Sequence, residues 1–269
     1  MKKFLILMVA VLLLGLVAAG CTSTTGKLES IQSKGEIVVY TDPNFSPFEF
    51  MGAGGIQGVD IEIAKAIAAE LNVTAKFQEA NFDAILMAVK GGKGDIAVSG
   101  FTITEERKAS VDFSEPYIES VQYLILPYDS TIAVMEDLAG KNVGVAKGYT
   151  GQFLMEEETQ KGDDTEGVLY NKGTVIKEYN SAMEATLDIT TLRLDAVVMD
   201  EYVAKNIVAN SDVLVAKELR YQNGELAAEE YGVVVPMGNE ALLDKINSVI
   251  RKLKAEDKIR EWVVQFSTL

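Results

Sequence analysis

The stretch Asp95 to Tyr117, DIAVSGFTITEERKASVDFSEPY, concentrates the groups best suited to hold a small anion. An apolar run, Ile96 to Val98, ends in Ser99, Gly100, Thr102 and Thr104, and Arg107 follows within one helical turn. Thr102 with Glu105 fits a capping box for the helix that carries Arg107. Free backbone N–H groups at a helix start, a hydroxyl and a two-pronged guanidinium together match a carboxylate. The same residues also allow a plainer arrangement, with Arg107 paired on the surface to Glu105, Glu106 or Asp112. A second polar position has a similar setting: the run Asp195 to Met199 ends at Asp200, placed to cap a helix beginning at Glu201.

Several chemistries are excluded by what the chain lacks. It contains no histidine and one cysteine, Cys21. Ser-His and Cys-His catalysis and histidine-based zinc sites therefore cannot form. No Gly-x-Ser-x-Gly, Ser-x-x-Lys or Gly-Lys-Ser/Thr motif is present. Acid catalysis by a carboxylate pair remains compatible with so acidic a chain, but no catalytic residue, metal ligand or cofactor is assigned. No enzymatic activity is expected from these motifs.

The elements that must position these groups alternate between strand and helix. Ile37 to Tyr40 reads as a strand ended by Asp42-Pro43-Asn44. Ile63, Ala64, Ile67, Ala68 and Leu71 recur at helical spacing, and Thr74 to Gln78 reads as a second strand. A helix over FDAILMAVKGG precedes the strand Asp95 to Ser99. The plan restarts after Pro116-Tyr117 with strands at VQYLILP, KNVGVA, 175–179 and 195–200 and helices between them. The tail gives a strand at 231–236 and helices at 239–254 and 257–266. This alternation predicts α/β layers. In open parallel sheets ligands collect outside the carboxyl ends of strands, where both polar clusters lie. The tail is too short for a third lobe and is expected to return to the first. The predicted organisation is 36–119 with 218–269 as lobe 1, 120–217 as lobe 2, and two hinge crossovers.

The N-terminus carries its own signals. Met1-Lys2-Lys3, an apolar stretch from Phe4 to Ala19 and the small residues before Cys21 read as a signal segment, residues 1–20. A membrane-spanning anchor is the alternative, since the stretch falls just short of the usual ~20 apolar residues. The site resembles a lipoprotein signal with lipidation at Cys21, although Ala18 stands where leucine is usual. Residues 21–35 then read as a lipidated tether. Without residues 1–20 the chain has 23 basic residues against 40 acidic ones, a formal charge of −17. Nucleic acid and anionic lipid surfaces are poor partners for such a surface.

TDPNFSPFEF, GVDIEIAKAIAAEL, SGFTITEERKASVDFSEPY, LAGKNVGVAKGYTG and LDAVVMDE occur in an order that closely resembles the polar amino-acid-binding proteins of ABC transporters, extracellular solute-binding family 3. The resemblance covers roughly residues 36 to 266. It implies a two-lobed periplasmic-binding-protein-like fold, each lobe a mostly parallel sheet flanked by helices. It also implies a monomer outside the cytoplasm that captures a free amino acid by lobe closure and delivers it to an ABC permease. Sensing by the same closure is an alternative. Position by position, Arg107 matches the clamp for the ligand α-carboxylate. Ser99 is expected among the ligand contacts with Gly100 and Thr102, which match donors around the α-carboxylate and α-ammonium, and Thr150 matches a carboxylate donor from the second lobe. Asp200 matches the acceptor for the α-ammonium. Phe45 and Phe82 match side-chain walls, and Asp42 matches a polar contact at the side-chain tip. Lys147 is a cation at the second-lobe rim that either faces the cleft or turns outward.

Asp42 could accept from glutamine or from a cationic tip. Lys147, if inward, would disfavour a buried cation. Glutamine is therefore the first expectation, arginine or another cationic amino acid the second, and glutamate the third.

Overall fold

The computed structural model describes residues 26–162, 165–209 and 211–267. Cys21, the signal segment and the start of the expected tether lie outside them. The chain opens with α1 (Lys27–Lys34) and β1 (Glu36–Thr41). A small antiparallel sheet of β2 (Asn44–Phe45), β3 (Glu49–Gly52) and β4 (Gly55–Gln57) comes next. Then follow α2 (Val59–Glu70), β5 (Thr74–Glu79), α3 (Phe82–Lys90), β6 (Ile96–Ala97), α4 (Glu105–Lys108) and β7 (Asp112–Phe113). The long β8 (Ile118–Pro127) leads to β9 (Asn142–Ala146), α5 (Thr150–Thr159) and β10 (Val175–Tyr179). Next are α6 (Ala182–Thr190), β11 (Ala196–Asp200), α7 (Glu201–Val208) and β12 (Leu214–Glu218). The chain ends with β13 (Ala228–Tyr231), β14 (Val234–Val235), α8 (Glu240–Ala255) and α9 (Lys258–Ser267).

These strands build two main sheets, ordered β5-β1-β6-β14-β7 and β10-β9-β11-β8-β12. Both are mixed and not mostly parallel. β5, β1 and β6 run parallel, while β14 lies antiparallel to β6 and β7. In the second sheet β10, β9 and β11 run parallel, and β8 is antiparallel to β11 and β12. Each parallel pair is joined through a helix, as a parallel crossover requires. The antiparallel strands are those at which the chain passes between the sheets.

Two of them form the hinge. β13 pairs antiparallel with the first half of β8, Ala228 opposite Val121 and Tyr231 opposite Ile118. β8 continues into the second sheet, and β13 is followed after Gly232-Val233 by β14 of the first. β8 is buried on both faces: Leu124 and Leu126 join one apolar core, Tyr123 and Ile125 the other. Alternation along a pleated strand puts successive side chains into opposite cores.

Helix α1 stands where the tether was expected. Ile31 is fully buried against the first lobe, and Lys27 Nζ lies 2.6 Å from Asp95 Oδ1. Gly35 ends the helix at φ 71°, its N–H donating to the carbonyls of Ile31 and Gln32. Among the described residues no helix is long and apolar enough to cross a membrane.

Candidate functional site

Most of the polar positions singled out in the sequence meet where the two lobes touch. Arg107 is buried, 6% exposed, although a guanidinium on a four-residue helix would ordinarily reach water. Burial overturns the surface pairing with Glu105, Glu106 or Asp112. Nη1 donates to Thr102 O at 2.8 Å, and Nη2 crosses to the other lobe and donates to Gly148 O at 2.9 Å. Its Cζ lies 5.6 Å from the Phe82 ring centre and 5.4 Å from that of Phe101. The capping residue of α4 is Thr104, whose hydroxyl accepts from Arg107 N, and not Thr102 as the spacing with Glu105 suggested. Thr102 is thereby released to face the second lobe, its Oγ1 3.5 Å from Thr150 Oγ1.

Asp200 ends β11 in the N-cap position of α7, but its side chain makes no cap hydrogen bond. It accepts instead from Gln122 Nε2 at 2.7 Å and from the Tyr231 hydroxyl at 2.5 Å. Beside it on the hinge strand sits Glu229, 7% exposed. Glu229 accepts from Gln122 Nε2 at 2.9 Å, from Thr102 Oγ1 at 3.3 Å and from the Thr150 hydroxyl. Burial pushes both carboxyl groups above their ordinary range, Glu229 far above it with Asp200 adding to the push. Burial drives Arg107 the opposite way, and Glu229 and Asp200 act to hold its charge.

A second acidic group lies on the first-lobe side. Asp42 Oδ2 accepts from Phe82 N at 3.0 Å and Oδ1 accepts from Asn44 Nδ2 at 2.6 Å, so it caps α3 from another element. Ser99 Oγ accepts from Asp42 N at 3.0 Å and donates to Glu49 Oε1 at 2.7 Å. The Ser99 hydroxyl is thus committed to fixing the acids. The Gly100 amide, expected to face a ligand, donates to Asp60 Oδ2 at 2.7 Å, where the Tyr117 hydroxyl also donates at 2.9 Å. Gly100 has φ 54°, and a Cβ there would lie 2.3 Å from Phe45 Cε1, so glycine is required. Burial raises Asp42, lifts Asp60 to about 6 and raises Glu49 further, with Asp60 adding to the push on Glu49.

Aromatic rings separate the two acidic groups. Phe82 stacks between Phe101 (4.3 Å between ring centres) and Tyr149 (4.1 Å). Phe45 lies 5.6 Å from Tyr149. Tyr149 comes from the second lobe, and Gly148 before it, at φ 76°, lets that loop approach Asp83. The Tyr149 hydroxyl is held well above its ordinary range by burial and then by Asp42, Glu49 and Asp200. Lys147 is exposed and is not among the residues that line the hinge cleft.

Sequence reasoning missed Gln122, Tyr149, Glu229 and Tyr231. Gln122 was the detectable one, as the single polar residue inside the apolar run VQYLILP. A cleft of about 960 Å³ runs along the hinge, lined by Thr102, Gln122, Thr150, Glu157, Glu229 and Glu230 among others. Among the described residues no group of acidic or sulfur side chains has the arrangement of a metal site. The arrangement can clamp a carboxylate at Arg107 and the start of α5, and can surround a cation with acids and ring faces.

Known proteins resemble the chain over most of its length. The family model for bacterial extracellular solute-binding proteins, family 3, matches residues 37–267. A probable histidine-binding protein of Neisseria gonorrhoeae is 30% identical over 240 residues, 88% of this chain and 82% of that protein. The arginine-binding extracellular protein ArtP of Bacillus subtilis is 28% identical over 262 residues, 97% of this chain and 96% of the relative. The solved structure of an amino acid ABC transporter substrate-binding protein, AbpA from Streptococcus pneumoniae, bound to L-arginine, aligns with a TM-score of 0.80. That match has 30% identity and covers 89% of this chain and 98% of the other.

Proposed function

The chain belongs to the bacterial extracellular solute-binding proteins of family 3, and we propose that it captures a cationic amino acid, arginine first, for an ABC permease. One observation carries the choice of ligand. Asp42, Glu49, Asp60, Asp200 and Glu229 are buried, and the only buried cation among the described residues is the Arg107 guanidinium. A zwitterion adds no net charge to such a site, whereas a cationic amino acid adds one positive charge where acids are in excess. Pairing is what makes a buried carboxylate tolerable. The rings of Phe45 and Tyr149, beside the stacked Phe82, suit a planar guanidinium, which stacks on aromatic rings more readily than an ammonium does. Lys147 was the reason to put glutamine first, and its exposure argues against that reason. The names of the relatives point the same way.

In this reading Arg107, Thr102 and Thr150 hold the ligand α-carboxylate, and Asp200 holds the α-ammonium. Phe45 and Phe82 flank the side chain, with Asp42 toward its tip and Ser99 and Gly100 fixing the acids behind it. Lobe 1 comprises 36–119 with 218–269, lobe 2 comprises 120–217, and the protein acts as a monomer tethered through lipid at Cys21. Ligand stabilises closure only by contacts that exist in the closed form. Calorimetric titration of ligand-free protein with all twenty amino acids tests the reading. Arginine is expected to bind tightest, with lysine or histidine next. Tight glutamine binding with arginine silent would reverse the assignment. Mass spectrometry of membrane-extracted protein tests the anchor: a diacyl-modified N-terminus at Cys21 supports it, and an unmodified mature start well past Cys21 removes it.

A further inference from the structure

We propose that Glu229 is a further ligand-contacting residue, and that the Asp200–Glu229 carboxyl pair exchanges a shared proton for the α-ammonium group of the incoming amino acid. The inference rests on the amino-acid-binding reading above and assigns a hinge residue to the same site.

The geometry places Glu229 at the junction of every moving part. It sits on β13, one of the two hinge strands, opposite Ser120 of β8. Its carboxylate accepts from Thr102 of the first lobe and Thr150 of the second. Gln122 Nε2 bridges it to Asp200, at 2.9 Å and 2.7 Å. Both Glu229 oxygens are therefore occupied by donors, and Asp200 is likewise occupied by Gln122 and Tyr231. Two acids, 2% and 7% exposed and both accepting from the same Gln122 Nε2, cannot both carry charge cheaply. One shared proton resolves the conflict, and burial with the neighbouring acid raises Glu229 in agreement.

The other groups facing the pair do not supply that proton. Arg107 of α4 is a fixed cation. Tyr231 of β13 and Tyr149 before α5 are phenols held well above their ordinary range. Glu201, next in the chain to Asp200, pairs away with Lys205. An α-ammonium entering beside Asp200 brings one positive charge and hydrogen-bond donors to the same two carboxylates. The proton then leaves to solvent along the cleft that Glu229 lines; the pair gains one negative charge, the ammonium brings one positive, and the net buried charge is conserved.

The test is calorimetric titration with L-arginine in buffers of different ionisation enthalpy at about pH 7, where the slope of observed heat counts protons released. Close to one proton per arginine is expected for the wild type, and close to none for Glu229→Gln. Affinity should weaken by up to about tenfold per pH unit below the titration of the pair. Binding without proton release, or full release retained in Glu229→Gln, would overturn the inference while leaving the binding function intact. Should Glu229→Gln fail to fold, Glu49→Gln decides. Release preserved there points to the hinge pair, and release lost there assigns the proton to Glu49 and Asp60 and overturns the proposal. If arginine is silent and another amino acid binds, the count is made with that ligand, because every amino acid carries the α-ammonium. Silence from all twenty ends the function and the inference together.

Discussion

Arg107 spends both terminal nitrogens on backbone carbonyls, one in each lobe, and meets no acid within ion-pair distance among the described residues. A buried guanidinium without a direct counterion is poised for a carboxylate. Arg107→Ala should therefore weaken arginine binding by about 3–5 kcal/mol, a few hundred-fold or more. Arg107→Lys should recover only part of that loss, because an ammonium cannot present two parallel donors. Titration calorimetry on variants with wild-type circular dichroism checks both, and an Ala variant within about threefold of wild type would remove Arg107 from the clamp. Gly100 makes a different demand. Alanine there combines φ 54° with a Cβ placed against the Phe45 ring, so Gly100→Ala should lower stability by about 1–3 kcal/mol. An unchanged urea midpoint would show that Phe45 yields without cost.

At the scale of elements, the parallel strands and long helices were legible because burial dictates their composition. β11, AVVMD, is buried at all five positions, and α2 buries Ile63, Ala64, Ile67 and Ala68 at the spacing expected of it. Two elements were hidden by charge. α1, KLESIQSK, offers only Leu28 and Ile31 as apolar residues, too few for a periodic signal. β13, AEEY, buries Glu229 and Tyr231 and exposes Ala228 and Glu230, so its alternation is not one of hydrophobicity. The candidate site was legible where one residue type serves one chemistry, as at Arg107 and Asp200. It was illegible at Glu229 and Tyr231, which only the crossing of β8 and β13 brings to Asp200, and at Gln122 only a lone polar residue in an apolar run hinted at it. The docking of α1 has a measurable consequence: Ile31→Ala empties a fully buried position and should cost about 2–5 kcal/mol in urea unfolding. A loss below about 0.5 kcal/mol would mean the helix detaches freely, as a tether would.

For the molecule as a whole, the buried acids set how stability depends on pH. Asp60 titrates at about 6 in the fold, and Glu49 and Glu229 are displaced further upward, chiefly by burial. In the unfolded chain such groups titrate near 4. Between the two values the folded state binds more protons than the unfolded one, so the slope of stability against pH is negative there. The sign is opposite to that of an ion-paired carboxylate, and half-buried Asp188, lowered by Tyr179 and Arg193, opposes it away from the cleft. The formal charge of −15 adds repulsion in the same direction as more acids ionise. Ligand-free protein should therefore melt highest near about pH 5 and lose several degrees by about pH 8. Saturating arginine should flatten that decline, because the ligand binds the deprotonated acids and raises the melting temperature with concentration over its dissociation constant. Scanning calorimetry from about pH 5 to about pH 8, with and without arginine, reads both curves. A ligand-free melting temperature that climbs steadily across that range would show that the buried carboxyl groups ionise without strain, and the charge argument for a cationic ligand would lose its footing.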